Sequence, residues 1–211
     1  MKKFDPSLYF ITDSTGYNEE DFLHRVEQAL KGGVTLLQLR EKNKSTREYI
    51  WLAEKVHAIA KSYNVPLIID DRVDVALAIN AEGVHVGADD MPIATARKLM
   101  GDGKIVGATA KTVPWAKEAY EEGADYLGVG AIYPTTTKVK TVLTSTDTLR
   151  NICNAVPVPV NAIGGLHRDN IDVLVGIPIA GICVVSAIMK ADDSKIAAEG
   201  LKARAYELAL I

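Results

Sequence analysis

Residues 35–72, TLLQLREKNKSTREYIWLAEKVHAIAKSYNVPLIIDDR, contain one full round of the pattern that decides the fold. A β-rich apolar run, 35–39, ends in the charged cluster Arg40-Glu41-Lys42. Ser45-Thr-Arg-Glu48 follows, and a serine three residues ahead of a glutamate predicts a helix start closed by a reciprocal capping box. Apolar side chains at Leu52, Val56, Ile59 and Tyr63 then recur every three or four positions, which gives the helix one apolar face. A second apolar run, 66–69, ends in Asp70-Asp71-Arg72. The unit reads as strand, polar loop, amphipathic helix, strand.

The same alternation extends to both sides. Strands are predicted at 8–12, 35–39, 66–69, 83–86, 104–108, 126–131, 158–162 and 181–185. Another helical face carries Leu149, Ile152, Cys153 and Val156. Gly33, Gly83, Gly123 and Gly181 stand where a helix gives way to a strand, and each is expected to turn the chain through the left-handed conformation. Strands apolar on both faces and separated by helices imply a parallel sheet. Eight βα units of about 26 residues each predict an α/β protein with a compact (β/α)8 TIM barrel, a single domain over residues 1–211. An open doubly wound sheet fits less well, because no GxGxxG turn begins the first helix and polar clusters follow nearly every strand.

Composition narrows the function classes. With 48% apolar and 24% charged residues the chain is neither disordered nor fibrous. A formal charge of −3 supplies no basic excess for nucleic acid or an anionic membrane, so an anionic ligand must be met by a local cluster. The uncharged stretch 173–189 is broken by Gly176, Pro178 and Gly181, which suits a helix end, a turn and a buried strand better than a membrane span. The apolar run after Met1-Lys2-Lys3 stops at Thr12-Asp13, too short for a signal peptide, and a cytoplasmic location is expected. Cys153 and Cys183 show no metal-ligand spacing and read as core.

In a barrel, chemistry collects where strands end. Strand alternation sends Gln38, Arg40 and Lys42 toward the barrel mouth and Leu39 and Glu41 toward the helices. A guanidinium and an ammonium on one face suit phosphate oxygens, the alternative being a solvated loop with a helix-side ion pair. Asp70-Asp71 and Asp89-Asp90 follow neighbouring strands, where carboxylates can converge on Mg2+ bridging substrate phosphates. Otherwise the same acids would serve as helix caps before Pro92. His85, inside a strand, reads as a core histidine. Tyr133-Pro134-Thr135-Thr136-Thr137-Lys138 reads as an anion-binding or a surface loop. Gly164-Gly165 and Val185-Ser186 follow the seventh and eighth runs, where barrels commonly hold phosphate, although a glycine pair also serves as a tight turn. Together these features suggest a diphosphate with Mg2+ on one side of the mouth and a monophosphate on the other.

The blocks QLREK (38–42), Asp71-Arg72, GVHVGADD (83–90), GVGAIYPTTTK (128–138), AIGG (162–165) and VVSAI (184–188), in that order, resemble the thiamine phosphate synthase family nearly end to end. The resemblance implies a (β/α)8 transferase that joins hydroxymethylpyrimidine diphosphate to hydroxyethylthiazole phosphate or its carboxylated form. It places Gln38, Leu39, Arg40, Glu41, Lys42, Asp70, Thr109 and Lys138 around the pyrimidine diphosphate, and Asp71 and Asp90 on Mg2+. Thr135, Thr136, Thr137, Gly165, Val185 and Ser186 would receive the thiazole phosphate. Arg40, Lys42 and Lys138 would neutralise the departing diphosphate, with no protein nucleophile. Two positions depart from the family pattern: Asp70, where Asn is usual, and Thr109, where Ser is usual. A thiazole tautomerase of the same superfamily is the alternative enzyme, opposed by Thr135 to Lys138 with Asp71 and Asp90. A non-catalytic thiazole-phosphate-binding homologue draws weight only from Asp70. The expected partners are small molecules, and the sequence says nothing of oligomeric state.

Overall fold

The computed structural model describes residues 4–135 and 142–211, so Thr136, Thr137 and Lys138 lie outside the described residues. Its strands are β1 (Leu8–Ile11), β2 (Leu36–Leu39), β3 (Leu67–Asp70), β4 (Gly83–Val86), β5 (Ile105–Ala110), β6 (Tyr126–Val129), β7 (Val160–Ile163) and β8 (Gly181–Val184). They pair in parallel in sequence order, and β1 closes the barrel on β8 with Tyr9 beside Cys183. The expected (β/α)8 barrel is therefore the observed fold. Strand ends differ by a residue or two. β5 runs two residues beyond the predicted end and takes Thr109 into the strand; β7 begins only after Pro157 and Pro159, because proline cannot donate to a ladder.

The helices are α1 (Glu19–Lys31), α2 (Thr46–Ser62), α3 (Val73–Ala78), α4 (Ile93–Met100), α5 (Val113–Glu121), α6 (Thr146–Ala155), α7 (Ser186–Met189) and α8 (Ser194–Glu207). The capping box at Ser45 is present: Glu48 N donates to Ser45 Oγ at 3.4 Å and Ser45 N to Glu48 Oε2 at 2.9 Å. Between β7 and β8 the helix shrinks to a single 3-10 turn, Ile171–Leu174, consistent with Gly176 and Pro178 cutting the segment short. Among the described residues no helix is long and apolar enough to cross a membrane.

The glycine expectation holds at Gly33 (φ +92°) and Gly123 (φ +98°) and fails at Gly83 and Gly181. Those two lie in β4 and β8, where a Cβ would come within 2.4 Å of the Ile105 carbonyl oxygen and 2.0 Å of the Pro6 carbonyl oxygen. Space, not backbone handedness, demands glycine there. The left-handed steps after α2 and α3 are taken by Asn64 (φ +55°) and Asn80 (φ +54°), residues whose short polar side chains tolerate that region.

Two cores result. Outward strand residues such as Leu37, Leu39, Leu67 and Ile69 pack under the helices. A smaller inner cluster fills the barrel with Tyr9, Ile11, Leu36, Ile68, Ile105 and Tyr126. Gly107 makes room for it, since a Cβ there would lie 2.1 Å from the Tyr126 ring. Cys183 is buried in the inner cluster, while Cys153 is half-buried against the outer core; both are free thiols.

Candidate functional site

The β2 end follows the alternation. Gln38 points into the barrel, where its Nε2 donates to the Tyr9 hydroxyl at 2.6 Å. Leu39 is buried in the outer core, and its carbonyl accepts from the Tyr49 hydroxyl at 2.7 Å. Glu41 turns to the β1–α1 loop and accepts from Ser14 Oγ at 2.8 Å, with Lys44 at 3.7 Å. Burial pushes its carboxyl above the ordinary range against the pull of Ser14, and its Oε1 is buried with no partner among the described residues. Thus neither Leu39 nor Glu41 turns its side chain to the acids of β3, whereas Arg40 and Lys42 both do. Arg40 Nε is 3.7 Å and Lys42 Nζ 2.9 Å from Asp70 Oδ2, and Lys42 also hydrogen-bonds Asp71.

Consecutive residues of a strand point to opposite faces, yet Asp70 and Asp71 meet the same ammonium. The cause is local. β3 ends at Asp70, and Asp71 adopts the left-handed conformation (φ +59°), its N–H donating to the His85 carbonyl at 2.8 Å. Aspartate is one of the few side chains that enter this region readily. Asp90 arrives from the β4–α4 loop, folded back by the Gly87 N–H donating to its Oδ2 at 2.7 Å, and its carboxyl lies within the influence of the Asp71 charge. Neither Asp89 nor Asp90 caps α4, whose cap position is Pro92. Arg72 turns away to Asp74 and Thr46.

Burial sets the charge balance here. It pushes Asp70 above the usual carboxylate range, opposed by Lys42 and Arg40. It also pulls Lys42 down, but Asp70 and Asp71 outweigh it and leave the ammonium above its ordinary value. Asp90 is raised by burial and by Asp71 beside it. Among the described residues no group of three or more His, Cys, Asp or Glu could hold a metal by itself. Two neighbouring carboxylates are nonetheless a donor set suited to a hard cation that keeps its other positions for water and phosphate.

The opposite side of the mouth is built from backbone. Ile132 N and Tyr133 N donate to the carbonyls of Ile163 and Gly164, both at 3.0 Å, so the loop after β6 lies on the end of β7. A Cβ on Gly164 would come within 2.3 Å of Ala131 Cβ, and one on Gly165 within 2.8 Å of the Pro134 carbonyl oxygen; this contact, with positive φ at both, accounts for the glycine pair. Thr135 is half-buried at the end of that loop. Asn170, which carried no signal in the sequence, holds the β7 loop through Nδ2 donating to the Gly165 carbonyl at 2.9 Å. Past β8 the chain passes through Val185 directly into α7, so the first-turn N–H groups of Ser186 and Ala187 have no acceptor within the helix.

Between the two sides lies Thr109, facing inward from β5 with Oγ1 3.0 Å from His85 Nε2. His85 is buried as expected, but both ring nitrogens are engaged, Nδ1 lying 3.1 Å from the Tyr126 hydroxyl. Tyr9 and Tyr126 were legible only as apolar strand residues.

The comparisons with known proteins agree with one another. A family model described as thiamine monophosphate synthase matches residues 8–188. Thiamine-phosphate synthase 2 of Streptococcus pneumoniae serotype 4 is 53% identical over 186 residues, 88% of this chain and 89% of that protein. Thiamine-phosphate synthase of Enterococcus faecalis is 51% identical over 194 residues, 92% of each. Among solved structures, thiamine phosphate pyrophosphorylase from Pyrococcus furiosus superposes with a TM-score of 0.87 at 38% identity, covering 96% of both chains.

Proposed function

This chain belongs to the thiamine monophosphate synthase family, and we propose that it condenses hydroxymethylpyrimidine diphosphate with a thiazole phosphate, releasing diphosphate and thiamine phosphate. The observation that carries this reading is the meeting of Lys42, Asp71 and Asp90, from the ends of three consecutive strands, beside Arg40. The pyrimidine diphosphate is assigned to the β2–β5 side. The thiazole phosphate, hydroxyethylthiazole phosphate or its carboxylated form, is assigned to the β6–β8 side, with Thr135, Gly165, Val185 and Ser186. The two free cysteines, paired with nothing, accord with work in the reducing cytoplasm.

The reaction is a substitution at the exocyclic methylene of the pyrimidine. The carbon–oxygen bond breaks, its electron pair leaves with diphosphate, and the thiazole nitrogen lone pair forms the new carbon–nitrogen bond to the resulting cation. Negative charge grows on the departing oxygen, and the groups placed to meet it are Arg40 and Lys42. In the free protein Lys42 is held by Asp70 and Asp71, so it exchanges one anionic partner for another when diphosphate arrives. Gln38 and Thr109 orient the pyrimidine from inside the barrel. The residues fit Mg2+: Asp71 and Asp90 would hold it, since burial and the neighbouring Asp71 charge both disfavour the ionised form of Asp90 and a cation there would relieve that. When bound, that ion would supply positive charge to the diphosphate oxygens.

The direct test is to incubate the purified protein with both substrates and Mg2+ and to measure thiamine phosphate and diphosphate. Equal amounts of both products are expected. A protein that binds thiazole phosphate and forms neither product would be a binding homologue, and the reading would fall.

A further inference from the structure

Four hydrogen bonds form an unbroken line across the inside of the barrel. Gln38 Nε2 donates to the Tyr9 hydroxyl at 2.6 Å, and the Tyr9 and Tyr126 hydroxyls are 2.6 Å apart. The Tyr126 hydroxyl lies 3.1 Å from His85 Nδ1, and His85 Nε2 lies 3.0 Å from Thr109 Oγ1. The two ends are residues assigned to the pyrimidine. The three in the middle belong to no assigned site.

Counting protons gives the line a direction. Burial holds both phenols well above their ordinary value, so each keeps its single proton. The Gln38 amide nitrogen can only donate, and the Tyr9 oxygen therefore accepts from it and passes its own proton to Tyr126. Tyr126, accepting from Tyr9, directs its proton to His85 Nδ1, which must present a lone pair. The imidazole then carries its proton on Nε2 and donates to Thr109, whose own hydroxyl proton is left to point into the mouth. With the Gln38 amide turned over, every bond would reverse, and Thr109 would offer the mouth only lone pairs.

We propose that Tyr9 and Tyr126 are positioning residues that hold His85 as the Nε2–H tautomer and so commit Thr109 to donate a hydrogen bond to an acceptor atom of the pyrimidine substrate. The proposal rests on the assignment of that substrate to Gln38 and Thr109. Packing alone does not call for these hydroxyls. A phenylalanine would fill the space that Gly107 leaves for the ring of Tyr126, and the hydroxyl's two partners are both members of the line. The imidazole also has room, since a Cβ on Gly128 would lie at ordinary contact, 3.5 Å from His85 Cε1.

The test reads the tautomer directly, by 15N NMR of the histidine rings in the full-length protein at neutral pH, with His85 assigned by the signal lost in His85→Gln. The parent is expected to show the Nε2–H form alone. Tyr126→Phe should give mixed tautomers and lower kcat about tenfold, the scale on which partners that orient an active group act, with a melting temperature close to the parent's. Tyr9→Phe, which removes both the acceptor for Gln38 and the donor to Tyr126, should also mix the tautomers and provides the same reading if Tyr126→Phe fails to fold. Cys183→Ala, which disturbs the packing of both rings without touching the line, should alter neither tautomer nor kcat. An Nδ1–H or doubly protonated His85 in the parent overturns the direction. A pure Nε2–H signal with full kcat in both tyrosine variants overturns the positioning role. A parent that forms no thiamine phosphate but shows the expected tautomer shift would overturn the substrate assignment and leave the proton direction standing.

Discussion

On the β2–β4 side of the mouth, Arg40, Lys42, Asp70, Asp71 and Asp90 meet through ionisable side chains, whereas the β6–β8 side presents a glycine pair, a threonine and the open amides of α7. The first side can exchange partners and change its protonation. The second is fixed by backbone contacts, the loop after β6 lying on the end of β7 and Asn170 tying down Gly165. That division matches the chemistry proposed for each substrate. A leaving diphosphate gains charge in the transition state and is served by charges that respond, while a phosphate that does not react need only be held in place.

The division would break most visibly at the carboxylate pair. Asp71→Ala and Asp90→Ala should each lower kcat/KM on the order of 100-fold or more while leaving the fold intact, and EDTA should abolish turnover of the parent. Because burial and Asp71 raise Asp90, protons compete with the cation, so the Mg2+ concentration giving half-maximal rate should fall as pH rises through the raised Asp90 range. A half-maximal concentration that stays constant with pH would mean that Asp90 is no ligand.

A smaller effect sharpens the contrast between the sides. Arg40→Ala should act on kcat, by about 100-fold if it meets the developing charge, whereas Ser186→Ala should raise KM for the thiazole phosphate by roughly tenfold with little change in kcat. Steady-state kinetics with each substrate varied in turn decide this. The opposite assignment of kcat and KM effects would exchange the two substrate sites.

The strands were legible because apolar residues on both faces, punctuated by helical periodicity, leave few architectures. What the sequence hid depends on three-dimensional neighbours. Asp70 and Asp71 should diverge by strand alternation, and only the left-handed turn at Asp71 brings them together. Gly83 and Gly181 resembled helix exits, because a glycine required for space looks the same in a sequence as one required for φ. The Tyr9 and Tyr126 hydroxyls meet across 117 residues of chain, and nothing near either one announces the contact. On the β6–β8 side the proposed phosphate site is made largely of backbone, and an amide leaves no mark in a sequence beyond the glycines around it. The glycine pair after the seventh strand and the habit of barrels to hold phosphate at their last loops pointed there, and the family pattern agreed.

Asp70 gives the finest test, because it decides whether the ionised side of the mouth is tuned for the metal or for the ammonium. Its carboxyl lies 2.9 Å from Lys42 and 3.7 Å from Arg40, while Asp90 is raised by burial and by the charge of Asp71 beside it. On this geometry Asp70 restrains the cations instead of adding a third metal ligand. Asp70→Asn should therefore leave the Mg2+ dependence unchanged and lower KM for the pyrimidine diphosphate by about threefold, as Lys42 loses one competing anion but keeps Asp71. The same substitution reports on stability with a defined sign. Burial raises the carboxyl in the folded state, so the folded protein binds the proton more tightly than the unfolded chain. The stability this contributes is present at acid pH and lost as pH climbs from the ordinary carboxylate range through the raised value. Asn does not titrate, so the urea midpoint of Asp70→Asn should gain on that of the parent as pH rises across that window. A shifted Mg2+ half-maximum would make Asp70 a ligand, and a midpoint difference that does not vary with pH would show that burial does not govern its ionisation.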